Sequence, residues 1–263
     1  LSALLGAQPL HDLDTLAEFI GSNPGEFSVS AVEFRPSDPE TVALVTAAVA
    51  EGIEVFCELP WSEDPAPWMP VLREAGARAK IRTGGVTADL IPPVDAVVRF
   101  LRVCAEAGVG LKFTAGLHHP VRAEHALTYE DDSPRAVMHG FLNVFTAAAL
   151  IAHGAVDDAT LRAVLSEDDP RAFEIGGDGG VRWRDHAFDS DDVRGARERA
   201  GGRPFQEGPF QPQQVVDTRL QVHRVKNAGL VEVDHPGAER PVVRAQQDVL
   251  QVQVGVDDSG VVR

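Results

Sequence analysis

Cysteine is nearly absent from this chain: Cys57 and Cys104 are the two in 263 residues. Two thiols cannot staple a domain of this length, and both sit in apolar runs, so they read as buried and reduced. Long hydrophobic stretches are missing as well. No run approaches the roughly eighteen apolar residues of a membrane span, and no charged segment leads into an apolar one as in a secretion signal. Positive charge is also in deficit, with a formal net charge of −16. An acidic surface repels phosphodiester backbones and anionic bilayers, which argues against nucleic acid or membrane as partner. Glycine (24) and proline (18) are near their usual shares, so collagen-like and wholly disordered chains are excluded. What remains is the expectation of an acidic, globular, cytoplasmic protein. Its 44% apolar residues suffice for one sizeable core or two small ones.

Glutamine is scarce in one part only. Residues 1–203 hold a single glutamine, Gln8, whereas residues 204–263 hold nine, and alanine falls to three there. We therefore divide the chain into a domain over 1–203 and a poorly patterned tail over 204–263. The tail reads as a small β-appendage or, preferably, as a disordered or frame-shifted segment whose composition specifies no fold.

Before the tail the rhythm is regular. Strands are expected near 28–35, 53–59, 78–83 and 109–115, with helices over 38–51, 65–76, 92–108, 138–153 and 158–165. A hairpin is expected around Gly177–Gly180, and a charged helix over 191–200. Asp38-Pro39 is a helix start signal, and Gly52 ends that helix. The acidic run Tyr129–Ser133 reads as a solvated loop. Strand and helix alternating with short connections require parallel strands. No G-x-G-x-x-G follows the first strand, which lowers the dinucleotide-binding reading. The expected fold is α/β, a (β/α)8 TIM-barrel-type domain. Because Leu1 opens the chain inside an apolar run, that barrel is expected to be incomplete at its N-terminal side.

Ligands bind at the carboxyl ends of parallel strands. Those ends carry Glu33 and Arg35, then Glu58, then Lys80, Arg82 and Thr83-Gly84-Gly85, then Lys112, Thr114 and Gly116 to His119. Lysine is rare, three against twenty-one arginines. Yet Lys80 and Lys112 fall inside consecutive strands among Ala79, Ile81, Leu111 and Phe113. A buried unpaired ammonium is costly. Either each lysine pairs with a carboxylate such as Glu58, or burial and the neighbouring cation lower one pKa so that a neutral amine attacks a carbonyl. The backbone amides of Thr83, Gly84, Gly85 and Gly116, with Arg82 and Thr114, are candidate substrate- or phosphate-binding groups. His118 is a candidate acid/base group, since its ordinary pKa lies near neutrality.

The run AKIRTGG, a helix and GVGLKFTAGL resembles deoxyribose-phosphate aldolase over about residues 53–117. In that family a lysine in a K-T-S-T-G context forms the Schiff base and a second, in F-K-x-A-G-G, perturbs it. Lys80 stands at the first position and Lys112 at the second, 32 residues on. IEVFCELP is similar to the family's preceding strand, with a glutamate where Glu58 stands. The chain departs from the family at Leu117, at Arg82 and in His118-His119-Pro120, and nothing clearly matches its proton-shuttling aspartate. The same motifs with MHGFLNVF also resemble a set of bacterial proteins without an assigned activity. The resemblance implies a lyase that forms a Schiff base with a small, possibly phosphorylated, carbonyl compound and needs no cofactor. The catalytic residues would be Lys80, Lys112, Glu58 and His118. Two other classes stay open. One is a metal-dependent hydrolase using His118, His119 and His139; the other is a barrel that binds an anionic metabolite without turnover.

Overall fold

The computed structural model describes residues 1–26, 28–154 and 156–201. The tail assigned above to residues 204–263 lies outside the described residues. Alternation begins earlier than the sequence reading has it. Strand β1 (Ser2–Leu4) and helix α1 (Pro9–Ser22) precede β2 (Ala31–Phe34) and α2 (Pro39–Ala48). Then follow β3 (Glu54–Glu58), α3 (Met69–Ala75), β4 (Arg78–Arg82), α4 (Val94–Ala107) and β5 (Leu111–Thr114). The start of α2 is built as expected: Pro39 occupies its first turn, and Asp38 Oδ1 accepts from the Thr41 amide at 2.7 Å. Gly108, at φ +65°, closes α4 in the left-handed conformation that favours glycine.

The five strands form one parallel sheet in sequential order, β1-β2-β3-β4-β5. The four strands read from sequence are thus neighbours in the order expected. Their alternation sorts two faces. Val32, Phe34, Val55, Cys57, Ala79, Ile81 and Leu111 form one, all buried in a single core with Leu13, Leu16, Val42, Val45, Leu72, Val97 and Leu101 of the helices. Phe113 is partly buried at its margin. Parallel sheets are normally apolar on both faces. Here the second face carries Glu33, Glu54, Glu58, Arg78, Lys80, Arg82, Lys112 and Thr114, with Phe56 among them. In register, Glu58 stands opposite Lys80 and Lys80 opposite Lys112.

After β5 the chain departs from simple alternation. A hairpin, β6 (Ala123–Ala126) with β7 (Arg135–Met138), stands between β5 and helix α5 (Phe141–His153). The acidic run Tyr129–Ser133 forms its tip, with Tyr129 fully exposed. Met138, expected to begin a helix, instead ends β7, and α5 starts at Phe141. Gly140, extended at φ −94° and ψ 147°, separates the two elements, and a Cβ there would lie 2.5 Å from the Val121 backbone. Helix α6 (Asp158–Ser166) packs on α4 and α5. A small antiparallel sheet, β8 (Phe173–Ile175), β9 (Val181–Trp183) and β10 (His186–Phe188), realises the expected hairpin, and α7 (Ser190–Gly201) packs on α5 and β5.

Candidate active site

The charged face converges on one carboxylate. Glu33 Oε2 lies 2.7 Å from Lys80 Nζ, while Glu33 Oε1 lies 2.6 Å from Lys112 Nζ. Ser2 Oγ, on the edge strand, donates to the same Oε1 at 2.5 Å. Lys80 also contacts Glu58 Oε2 at 2.7 Å, and Arg35 Nη2 donates to Glu58 Oε1 at 2.7 Å. The network therefore runs from Ser2 and Lys112, which both donate to Glu33, through Lys80 and Glu58 to Arg35. Lys112 Nζ also sits 4.8 Å above the centre of the Phe56 ring. Glu33 thus reaches from β2 to Lys112 on β5, past the two strands between them.

Burial makes these pairs matter. Lys80 and Glu33 are each 3% exposed and Glu58 is 7% exposed. Burial pushes the Glu33 carboxyl up. The Lys80 charge and the hydrogen bonds from Lys112, Lys80 and Ser2 outweigh it and hold the carboxyl at about 2. Burial likewise opposes ionisation of Glu58. Lys80, Arg35 and Arg82 together hold it below the ordinary carboxylate range. Cys57, the neighbour of Glu58, takes no part: burial drives its thiol up to about 12, and it faces the apolar core.

The strand ends are locked by close backbone contact. Thr83 is fully buried, and its Oγ1 donates to the Ala115 carbonyl at 2.5 Å. A Cβ on Gly84 would lie 2.6 Å from Gly116 Cα, so only glycines let β4 and β5 meet here. Ala115 and Gly116 both have positive φ, +59° and +78°. Gly85 packs on Leu90, a Cβ there falling 2.3 Å from Leu90 Cδ1. Of the six residues expected to hold substrate or phosphate, Thr83, Gly84, Gly85 and Gly116 thus have packing tasks. Arg82 and Thr114 stand side by side on the charged face.

The histidines do not converge. Among the described residues no three His, Cys, Asp or Glu side chains are placed to hold one metal ion. His139 is buried, with Nε2 2.7 Å from the Pro92 carbonyl oxygen. His119 stacks on His125, ring centres 3.3 Å apart, and His118 is exposed on the loop after β5. The metal set His118, His119 and His139, with Glu58 as a fourth ligand, is corrected accordingly. The physical reason is placement: His139 is buried after β7 with Nε2 on the Pro92 carbonyl, while His119 stacks on His125 and His118 is exposed.

No protein-family model matches the chain, nor does any curated protein or solved structure. The site must be read from its own geometry. The sequence reading picks out Lys80, Lys112 and Glu58, and the fold brings all three together. It gives no role to Glu33, the residue at their centre. The signal was present: a glutamate inside an alternating strand poses the same burial problem as a lysine inside one. Ser2 carries no comparable signal, since its task depends on β1 pairing with β2.

Proposed function

We propose that this chain is a Schiff-base-forming lyase acting on a small carbonyl compound, with Lys80 as nucleophile. The observation that carries the reading is the Glu33 carboxylate held between two buried lysines, Lys80 also touching Glu58. Proton transfer from a nucleophile needs an acceptor within about 2.6–3.2 Å. Glu33 and Glu58 both lie at 2.7 Å from Lys80 Nζ, and since both carboxyls are held low, either takes the proton only once substrate loosens its ion pairs. In the proposed reaction the Lys80 ammonium gives a proton to a carboxylate, and its amine attacks the carbonyl carbon. The resulting carbinolamine takes a proton back and loses water. The protonated imine then accepts the electron pair of the breaking carbon–carbon bond while a carboxylate takes the proton of the β-hydroxyl, which releases an aldehyde and leaves an enamine on Lys80. That proton returns to the enamine carbon, and hydrolysis of the resulting imine releases the second product and the lysine. Glu33 fills the place of a carboxylate from an earlier strand, which the aldolase resemblance left open. The resting arrangement is ion-paired, so deprotonation belongs to the step in which substrate enters. The scaffold we read here is part of a (β/α) barrel, supported by the sequential parallel order of the strands and by the contact of Glu33 on β2 with Lys112 on β5.

The experiment is borohydride reduction in the presence of short aldehydes, followed by peptide mass mapping. A stable adduct on the peptide containing Lys80 is expected, absent in Lys80→Met and weakened in Lys112→Leu. No adduct with any short aldehyde or ketone would leave the two lysines as structural ion pairs.

A further inference from the structure

The charged face is out of balance. Among the described residues, Arg35, Arg78, Lys80, Arg82 and Lys112 meet there Glu33, Glu54 and Glu58 alone, an excess of two positive charges in a chain of net charge −16. The carboxylates are already engaged. Arg78 takes Glu54 at 2.9 Å, Lys80 and Lys112 take Glu33, and Glu58 divides its oxygens between Lys80 and Arg35. Arg82 is left over. It is half-buried and makes no hydrogen bond or ion pair with a described residue, although its charge is felt at Glu58.

Its cross-strand partner is left over too. Thr114 is paired with Arg82 in the sheet register, and its Oγ1 is buried without a hydrogen-bond partner among the described residues. A buried hydroxyl without a partner is costly, and native structures seldom keep one without a use. Arg82 and Lys80 are two residues apart on one strand, so their side chains leave the same face about 6.6 Å from each other. A guanidinium and a hydroxyl, both unspent, thus stand one step from the amine.

Resting on the imine reading above, we infer that Arg82 and Thr114 form an oxyanion-binding subsite that selects carbonyl compounds bearing a carboxylate or phosphate close to the reacting carbon. The guanidinium supplies charge and paired N–H donors, and the Thr114 hydroxyl supplies one more. The pairing belongs to this chain: Arg82 stands where the aldolase resemblance has a small residue.

Two readouts test it. The first compares borohydride trapping of glyoxylate, glycolaldehyde phosphate and neutral glycolaldehyde on Lys80. Hydrogen bonds to charged groups imply that at least one anionic aldehyde is trapped about 10–100-fold more efficiently than the neutral one. Arg82→Gln removes that advantage, so that the ratio of anionic to neutral aldehyde trapped falls towards one. Arg82→Lys restores part of it, and Thr114→Val lowers it by about 3–10-fold. Glyoxylate favoured over the phosphate identifies a carboxylate as the natural group, and the reverse order identifies a phosphate. The second readout is the rise in melting temperature with oxalate or inorganic phosphate, lost in Arg82→Gln. Equal trapping of all three aldehydes, unchanged by Arg82→Gln, overturns the subsite and leaves the imine reading standing. If no aldehyde is trapped, the imine reading fails and the melting test decides alone. A shift lost in Arg82→Gln then supports the subsite, and no shift overturns it.

Discussion

Glu33 offers its two oxygens to two different lysines, and that division sets its energetics. Removing one partner of a buried pair strands the other charge and typically costs about 3–5 kcal/mol. Glu33→Gln leaves two ammoniums facing a neutral amide, so we expect a loss of that order at pH 7, read as a fall in urea midpoint. The pH dependence follows from the depressed carboxyl, about 2 against an ordinary 4.5. Between those values the unfolded chain takes up a proton that the folded one refuses. This ion-pair stability is therefore complete above about pH 4.5 and is lost as the pH falls towards 2, amounting to about 3 kcal/mol. Urea midpoints from pH 7 to pH 2.5 should fall steeply in the parent protein. In Glu33→Gln the profile starts lower and falls less. Parallel profiles would remove Glu33 from the ion-pair network.

At the scale of elements, two junctions hold the site in shape. Gly84 and Gly116 bring the ends of β4 and β5 into backbone contact. Gly84→Ala forces them apart, with an expected cost of about 1–3 kcal/mol and a loss of Lys80 trapping beyond what the lower stability explains. The second junction is His139, which ties the end of β7 to the start of α4 through the Pro92 carbonyl. Burial lowers its pKa; the Pro92 hydrogen bond opposes this and Arg122 adds to the lowering. The folded protein thus keeps a neutral ring where the unfolded chain would take a proton. The contribution is complete above about pH 6.5 and fades as the pH falls below it. His139→Gln should flatten the stability profile between pH 7 and pH 5, and an unchanged slope would assign that dependence elsewhere. The same elements show how far sequence reasoning reaches. The strands holding Glu58, Lys80 and Lys112 are legible because a period of two marks them and prolines and glycines punctuate the helices. β1 is not, because three residues are too few to show a period. The β6–β7 hairpin is not, because both its strands are largely exposed and lack an apolar face. The role of Glu33 is hidden for another reason: it depends on a contact across two intervening strands, which local pattern does not encode.

For the whole molecule, the two thiols report on the integrity of the core. Cys57 and Cys104 are fully buried, and burial pushes both up to about 12. A thiol reagent at pH 8 should leave both unmodified under native conditions and modify both in urea, at a rate set by opening of the domain. Rapid native labelling of Cys104 would mean that α4 detaches on its own. Cooperativity of this kind also bears on how the protein could be altered. Since one carboxylate serves both ammoniums, positions 80 and 112 do not vary independently. A library that changes either lysine alone must cross a trough of folding yield, because a buried Glu33 oxygen then loses its cation. Libraries that change Glu33 together with the lysines bypass it. The shortest mutational routes to a new chemistry on this scaffold therefore run through Glu33.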